Sequence, residues 1–292
     1  MIPRELIKKV KRIELITRRK ASNRLAGQYH SVFKGRGMDF DEVQPYAEGD
    51  DVRFIDWNVS ARTGDLHVKH FVEERELTVM LLVDISGSVE FGSSKQRKRE
   101  IIAEIGAILA FSAIRNNDRV GLVIFTDDVQ KYIPPKKGRK HVLRIVTEIL
   151  NQPAAEGGTD IGAALEFTSK VQRRQSVVFI LSDFMDQSYE RGLKISAKRH
   201  DVVPLVVQDP LEWELPKVSG LLPVRDLESG DIRWLDPGSK RQREAFHESR
   251  RKARQERENL FRRLKLDRVE IDVGRSYVDR LAAFFRRRAK RY

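Results

Sequence analysis

Leu77-Thr78-Val79-Met80-Leu81-Leu82-Val83-Asp84-Ile85-Ser86-Gly87-Ser88 decides how the rest of the chain is read. The near-continuous apolar run has the length of a strand and no polar alternation. That pattern predicts a central strand of a parallel sheet, buried on both faces. After that run the polar side chains Asp84, Ser86 and Ser88 emerge at the carboxyl end of the strand, the edge at which open α/β sheets bind ligands. All three are hard oxygen donors, and Gly87 lets the backbone turn tightly between the two hydroxyls. Hard oxygens suit Mg2+ or Mn2+ rather than zinc or copper.

Downstream of this stretch the pattern alternates. A helix is expected from Lys95 to Asn116, with Ile101, Ile105, Ile108, Leu109 and Ile114 as its buried stripe. A strand over Val120 to Phe125 precedes Asp127-Asp128, read as a solvated turn, and Tyr132-Ile133 leads into Pro134-Pro135. Further helices are expected at 140–150, 161–171 and 190–198, and strands at 177–181 and 202–207. Strands alternating with helices of this length imply βα units and a mostly parallel, doubly wound sheet of Rossmann-like type. Beyond it, residues 218–236 read as a hairpin and 239–266 as a strongly basic helix with Phe246, Ala253, Leu260, Phe261 and Leu264 on one stripe. The strand Val269 to Val273 and a last helix, Tyr277 to Arg288, complete the chain.

Upstream, residues 4–20 alternate basic and apolar positions at helical spacing and predict a basic amphipathic surface helix. Residues 27–70 are rich in glycine, aspartate and aromatics, which predicts turns, short strands and a small satellite core. Asp50, Asp51 and Asp56 are expected to pair with Arg53 and Arg62, forming a salt-bridged platform on the main sheet. These residues, with Trp57, are read as structural or partner-binding rather than catalytic. Gly35-Arg36-Gly37 is no phosphate loop, because no Gly-Lys-Ser/Thr follows. His67 and His70 fall on opposite faces of a strand and make a poor metal pair. The expected division is therefore 1–76, an N-terminal segment containing β structure, and 77–292, the main α/β domain with its C-terminal basic helices.

Composition bounds the function. With no cysteine among 292 residues, disulfides, thiolate catalysis and cysteine metal sites are excluded. The apolar runs are shorter than the roughly 20 residues a membrane helix needs, and the amino terminus lacks a signal-peptide core, so a cytoplasmic location is expected. The formal charge of +13 permits nucleic acid, anionic lipid or an acidic protein as partner without choosing among them.

Two other expected strand-end or loop positions carry donors that match the Asp84 turn: Thr159, after Gly157-Gly158, and Asp183, after the strand 177–181. A hard divalent ion takes about six oxygens. Few carboxylates and several neutral hydroxyls would leave it with residual positive charge and an open position for a carboxylate from another molecule. Asp84-x-Ser86-x-Ser88, Thr159 and Asp183, in that order on an alternating α/β chain, resemble the von Willebrand factor A (VWA) domain and its metal-ion-dependent adhesion site (MIDAS). The resemblance implies Mg2+ contacted by the two serines and the threonine, with the aspartates bound directly or through water.

A second resemblance covers most of the chain. Ser31-x-x-x-Gly35-Arg36-Gly37-x-x-Phe40, Tyr46-x-x-Gly49-Asp50-Asp51-x-Arg53-x-Ile55-Asp56-Trp57, His200-Asp201-Val202-Val203 and Asp209-Pro210-x-Glu212 look like the bacterial family catalogued as domain of unknown function 58. Gln44 stands where that family usually has Arg. The resemblance implies a non-enzymatic, Mg2+-dependent protein-binding module acting with a MoxR-type AAA+ ATPase in protein maturation or chaperone-like work. Two other classes compete. A metal-dependent phosphoesterase would use the ion to activate water or clamp phosphate, but no Walker Gly-Lys-Ser/Thr and no neighbouring His supports it. A nucleic-acid binder would use Lys8 to Lys20 and the basic helix, although aromatics are not interleaved with those basic residues.

Overall fold

The computed structural model describes residues 39–72, 76–92, 97–152, 158–186, 188–215, 217–218, 220–225 and 231–290. The basic stretch 4–20, Gly35-Arg36-Gly37 and Gly157 lie outside the described residues. Two compact units meet in sequence at Leu77 and Thr78.

The smaller unit contains β1 (Asp39–Pro45), α1 (Trp57–Thr63) and β2 (His67–Val72). β1 and β2 pair antiparallel. The helix corrects the expectation of turns and short strands alone. It forms because Asp56 caps it, accepting from Asn58 N at 3.0 Å and Val59 N at 3.2 Å, and because Gly64 ends it in the left-handed conformation at φ 85°. The expected charge pairing holds only in part. Arg53 bonds Asp51 through Nε and Nη2, but Asp56 pairs with Lys69 at 3.4 Å and Asp50 accepts from Ala47 N at 2.8 Å. A cap uses a carboxylate locally, so Asp56 needs no arginine. Nor does Trp57 join a satellite core: it is 68% exposed, and Val68 is buried instead.

The larger unit is built on a six-stranded sheet. In chain order its elements are β3 (Thr78–Asp84), α2 (Lys98–Arg115), β4 (Arg119–Phe125), β5 (Val129–Lys136), α3 (Arg139–Asn151), α4 (Ile161–Val171), β6 (Val177–Ser182), α5 (Glu190–Arg199) and β7 (Asp201–Gln208). The short hairpin β8 (Leu222–Arg225) and β9 (Ile232–Leu235) follows, then α6 (Lys240–Arg263), β10 (Val269–Asp272) and α7 (Tyr277–Ala289). The sheet order is β10-β7-β6-β3-β4-β5, parallel except for the edge strand β5. This is the mixed α/β, mostly parallel, Rossmann-like architecture read from the sequence. β5 extends beyond the expected Tyr132-Ile133 and runs through Pro134 and Pro135. Proline cannot donate to a ladder, and the unpaired side of an edge strand tolerates it.

β3 sits in the middle, fully buried from Val79 to Val83. Its side chains alternate between two cores. Met80 and Leu82 enter a cluster with Ile161 and Leu165 of α4, Leu193 of α5 and Phe261 of α6. On the other face, Leu81 and Ile149 approach the α2 backbone at Gly106. α2 is buried over more than the expected stripe, with Ile102, Ala103, Ala107, Ala110 and Ala113 also inside, whereas Ile114 is only half-buried. The β8–β9 hairpin stays outside this packing, and Leu222, Val224, Ile232 and Trp234 are exposed. Among the described residues no helix is long and apolar enough to cross a membrane.

α6 keeps most of its expected apolar stripe, with Leu260 and Leu264 packed beside Phe261 on the core. Phe261 is buried, but Ala253 is exposed, and arginines turn inward in its place. Arg254 and Arg257 lie over the Trp213 ring, each 5.6 Å from its centroid, and Arg250 lies over Phe246 at 5.3 Å. Long arginine stems cover apolar surface, and the guanidinium faces are attracted to the rings.

At Gly121, in the middle of β4, an added Cβ would sit 2.7 Å from Met80 Sδ, 3.0 Å from Pro135 Cγ and 3.1 Å from the Ile133 carbonyl oxygen. Gly121→Ala is therefore expected to destabilise the fold by about 1–3 kcal/mol through overpacking, measured by urea denaturation. An unchanged midpoint would contradict this packing.

Candidate metal centre

Strand register brings the ends of β3, β4 and β6 together. Asp84 pairs with Phe125 of β4, and Val83 with Leu181 of β6. β3 connects on one side to β4, while β6, reached later in the chain, lies on its other side. That is the topological switch point, where doubly wound sheets leave a crevice outside the strand ends.

Asp84 is fully buried there, and each of its oxygens accepts a hydrogen bond. Ser86 N donates to Oδ1 at 2.9 Å and Ser182 Oγ to Oδ2 at 2.6 Å. Ser182 Oγ in turn accepts from Phe184 N at 3.0 Å, which fixes the left-handed turn at Phe184 (φ 56°) and directs the chain away after Asp183. Ser86 does not act as a helix cap. It precedes the short 3-10 turn Gly87–Glu90, yet its side chain makes no capping bond. Its hydroxyl shares a 3.0 Å hydrogen bond with the Ser88 hydroxyl instead.

Asp183 is buried beside Asp84. Its Oδ1 accepts from Met185 N at 3.2 Å, and its Oδ2 from the ammonium of Lys98 at 2.8 Å. It does not cap α5, whose N-cap is Tyr189. Thr159 stands in the segment before α4; two bonds hold that segment against the same edge and a third caps the helix. Asp160 N donates to the Thr126 carbonyl oxygen just beyond β4 at 2.8 Å, Ile161 N donates to Asp186 Oδ2 at 3.1 Å, and Asp160 Oδ1 caps α4 through Ala163 N at 2.8 Å. The Asp84 turn, Asp183 and the Thr159 segment thus lie at one sheet edge. Arg53, Asp50, Asp51, Asp56 and Trp57 belong to the smaller unit.

Burial, reinforced by the negative charge of Asp183, pushes the Asp84 carboxyl up to about 7, against the hydrogen bonds from Ser182 and Ser86. Two carboxylates and several hydroxyls, with carboxylate lone pairs still available, fit a hard divalent cation, whose charge would relieve that repulsion. Among the described residues no three His, Asp or Glu side chains are grouped to hold a metal by themselves. An ion here would depend on the hydroxyls.

Sequence reading missed several neighbours. Burial would lower the Lys98 ammonium, but Asp183 and Glu212 outweigh it and raise it. Glu212, in a short 3-10 turn after β7, is raised by burial and by Asp183, with Lys98 opposing. Arg257 Nη1 donates to the Asp183 carbonyl oxygen at 3.2 Å. Asp209-Pro210-x-Glu212 is visible as a motif in the sequence, but nothing local shows what it touches.

A family model described as "Protein of unknown function DUF58" matches residues 42–256. The chain belongs to this family. This DUF58 chain is 33% identical over 230 residues to the uncharacterized protein Rv1480 of Mycobacterium tuberculosis, covering 77% of this chain and 72% of that one. Among solved structures it is similar to the conserved hypothetical protein BatB of Bacteroides thetaiotaomicron, with 18% identity, a TM-score of 0.48, and 73% of this chain and 99% of that chain covered. It is also similar to the SpRpn10 VWA domain, with 15% identity, a TM-score of 0.35, and 46% and 76% covered.

Ser182→Ala would leave a buried oxygen of Asp84 without its donor. In chelator, this is expected to lower unfolding free energy by about 1–3 kcal/mol, read by chemical denaturation. Unaltered stability would mean that Ser182 does not support Asp84.

Proposed function

We propose that this DUF58 protein is a metal-dependent protein-binding module. Asp84, Ser86, Ser88, Thr159 and Asp183 hold Mg2+ or Mn2+, and the ion's remaining position takes a carboxylate from a protein partner. The observation that carries this reading is the pair of buried carboxylates at adjacent strand ends, Asp84 and Asp183, whose mutual repulsion a divalent ion would offset. Hydroxyl donors complete the set without adding negative charge, so a bound ion would keep the electrophilic character needed to attract an acidic side chain. Such a function is capture rather than catalysis and requires no nucleophile. A MoxR-type AAA+ ATPase is the partner implied by the family resemblance, with a role in protein maturation or chaperone-like work in the cytoplasm. In the smaller unit, Asp51, Asp56 and Asp50 serve as structural anchors. Trp57 is the residue of that group assigned to a partner, because it is exposed.

Calorimetric titration of the purified chain with Mg2+ tests the site. Asp84→Ala and Thr159→Val are each expected to weaken Mg2+ binding by at least about tenfold, the loss of a close charge or of one oxygen ligand. Asp84→Ala should also abolish co-purification of the partner, to the same extent as a chelator does. Undiminished Mg2+ affinity in Asp84→Ala would sink the proposal.

A further inference from the structure

The motif Asp209-Pro210-Leu211-Glu212 ends β7, beside the end of β6, and the proposed site does not use it. It folds as a capping box. Asp209 Oδ1 accepts from Leu211 N at 3.0 Å, and Glu212 Oε2 accepts from Asp209 N at 2.9 Å. The backbone thus fixes one carboxylate oxygen of Glu212. The other, Oε1, takes the ammonium of Lys98, which also bonds Asp183 Oδ2 at 2.8 Å.

Lys98 is an unusual residue to find here. Its side chain is fully buried, and it occupies the first position of α2, where the helix dipole disfavours a cation. An ammonium bound to Asp183 alone would cancel the charge of a proposed metal ligand. Shared with Glu212, it does not. Asp84, Asp183 and Glu212 contribute three negative charges and Lys98 one positive, leaving minus two, the charge a divalent ion neutralises.

We infer that Glu212 is a positioning residue for the cation site: by sharing Lys98, it keeps the negative charge of Asp183 available to a divalent ion and so sets the affinity of the site. This inference rests on the metal-binding reading. Lys98 fixes Asp183 through Oδ2, and Glu212 keeps that grip from becoming neutralisation. The sequence order of the pair supports a dedicated arrangement. The lysine comes from the helix after the first metal-binding turn and the glutamate from the turn after β7, so the contact gathers two strand ends and a helix start around one charge.

The test is calorimetric titration with Mg2+ of the full chain as wild type, Glu212→Gln and the double variant Lys98→Met/Glu212→Gln, each checked by thermal unfolding in chelator. The amide introduced by Glu212→Gln keeps an oxygen for Asp209 N but drops the site to minus one, so affinity is expected to fall by about tenfold or more. The double variant restores minus two and should return to within about threefold of wild type, since replacing a buried ion pair with apolar or neutral groups is compatible with folding. If Glu212→Gln does not fold, the double variant decides: near-wild-type affinity supports the inference and a tenfold loss overturns it. Wild-type protein that takes up no Mg2+ overturns both this inference and the metal-binding reading. Wild type that binds, with Glu212→Gln unchanged or with both variants equally weakened, overturns this inference alone.

Discussion

Two aspartates, buried within reach of each other's charge, set the terms for the rest of the larger unit. Asp84 ends β3 and Asp183 follows β6, and the parallel pairing of those strands forces their carboxyl groups to one edge. Desolvation and mutual repulsion both oppose ionisation there, which is why Asp84 rises to about 7. The surrounding residues answer that conflict. Ser182 and the Ser86 amide stabilise Asp84. Lys98 stabilises Asp183, and Glu212 in turn stabilises Lys98. Such a network is costly to break at any single member, because removing one partner strands a buried charge. It therefore ties three parts of the chain to one edge more firmly than any member would alone.

The readable parts of this architecture were those with local signatures. A doubly buried strand shows as an unbroken apolar run, so β3, β4, β6 and β7 stood out, and their alternation with helices implied the parallel sheet. Asp84, Ser86 and Ser88 were visible because they follow such a run directly, and Asp183 for the same reason. β5 was obscured because Pro134 and Pro135 resemble a loop, and their placement depends on knowing that the strand lies at the edge. α1 was hidden in a segment whose glycines and aspartates suggested turns. Its cap, Asp56, looks in sequence like one more ion-pairing acid. The Lys98–Glu212 contact spans 114 positions. No window of sequence carries a signal for it, even though the capping box that presents Glu212 is a recognisable local motif.

The basic surplus also takes on a different meaning once α6 is placed. A run of lysines and arginines suggests a surface for polyanions, yet several of these arginines have intramolecular work. Arg254 pairs with Glu258 and with Glu270 of β10, and it shares the face of Trp213 with Arg257. Arg257 is buried and bonds the backbone oxygen of Asp183. In α7, Arg288 is likewise buried and pairs with Asp201 at the start of β7. Net charge counts these residues as if they were exposed.

Trp213 follows Glu212 directly, so one short turn holds two different attachments. Through Glu212 it reaches Lys98 and Asp183, and through its ring it seats Arg254 and Arg257 of α6. Arg257 then closes the circuit on the Asp183 backbone. The side chain and the backbone of Asp183 are thereby held from opposite ends of one connected set of contacts. The basic helix is fastened to the same strand end as the candidate metal centre by Arg254 and Arg257, which act there as struts, while Arg241, Arg251, Arg262 and Arg263 stay exposed. A cation seated between Asp84 and Asp183 would act on a carboxylate whose position α6 and the turn after β7 already restrain, so the geometry offered to the ion is built in advance by residues that need not touch it.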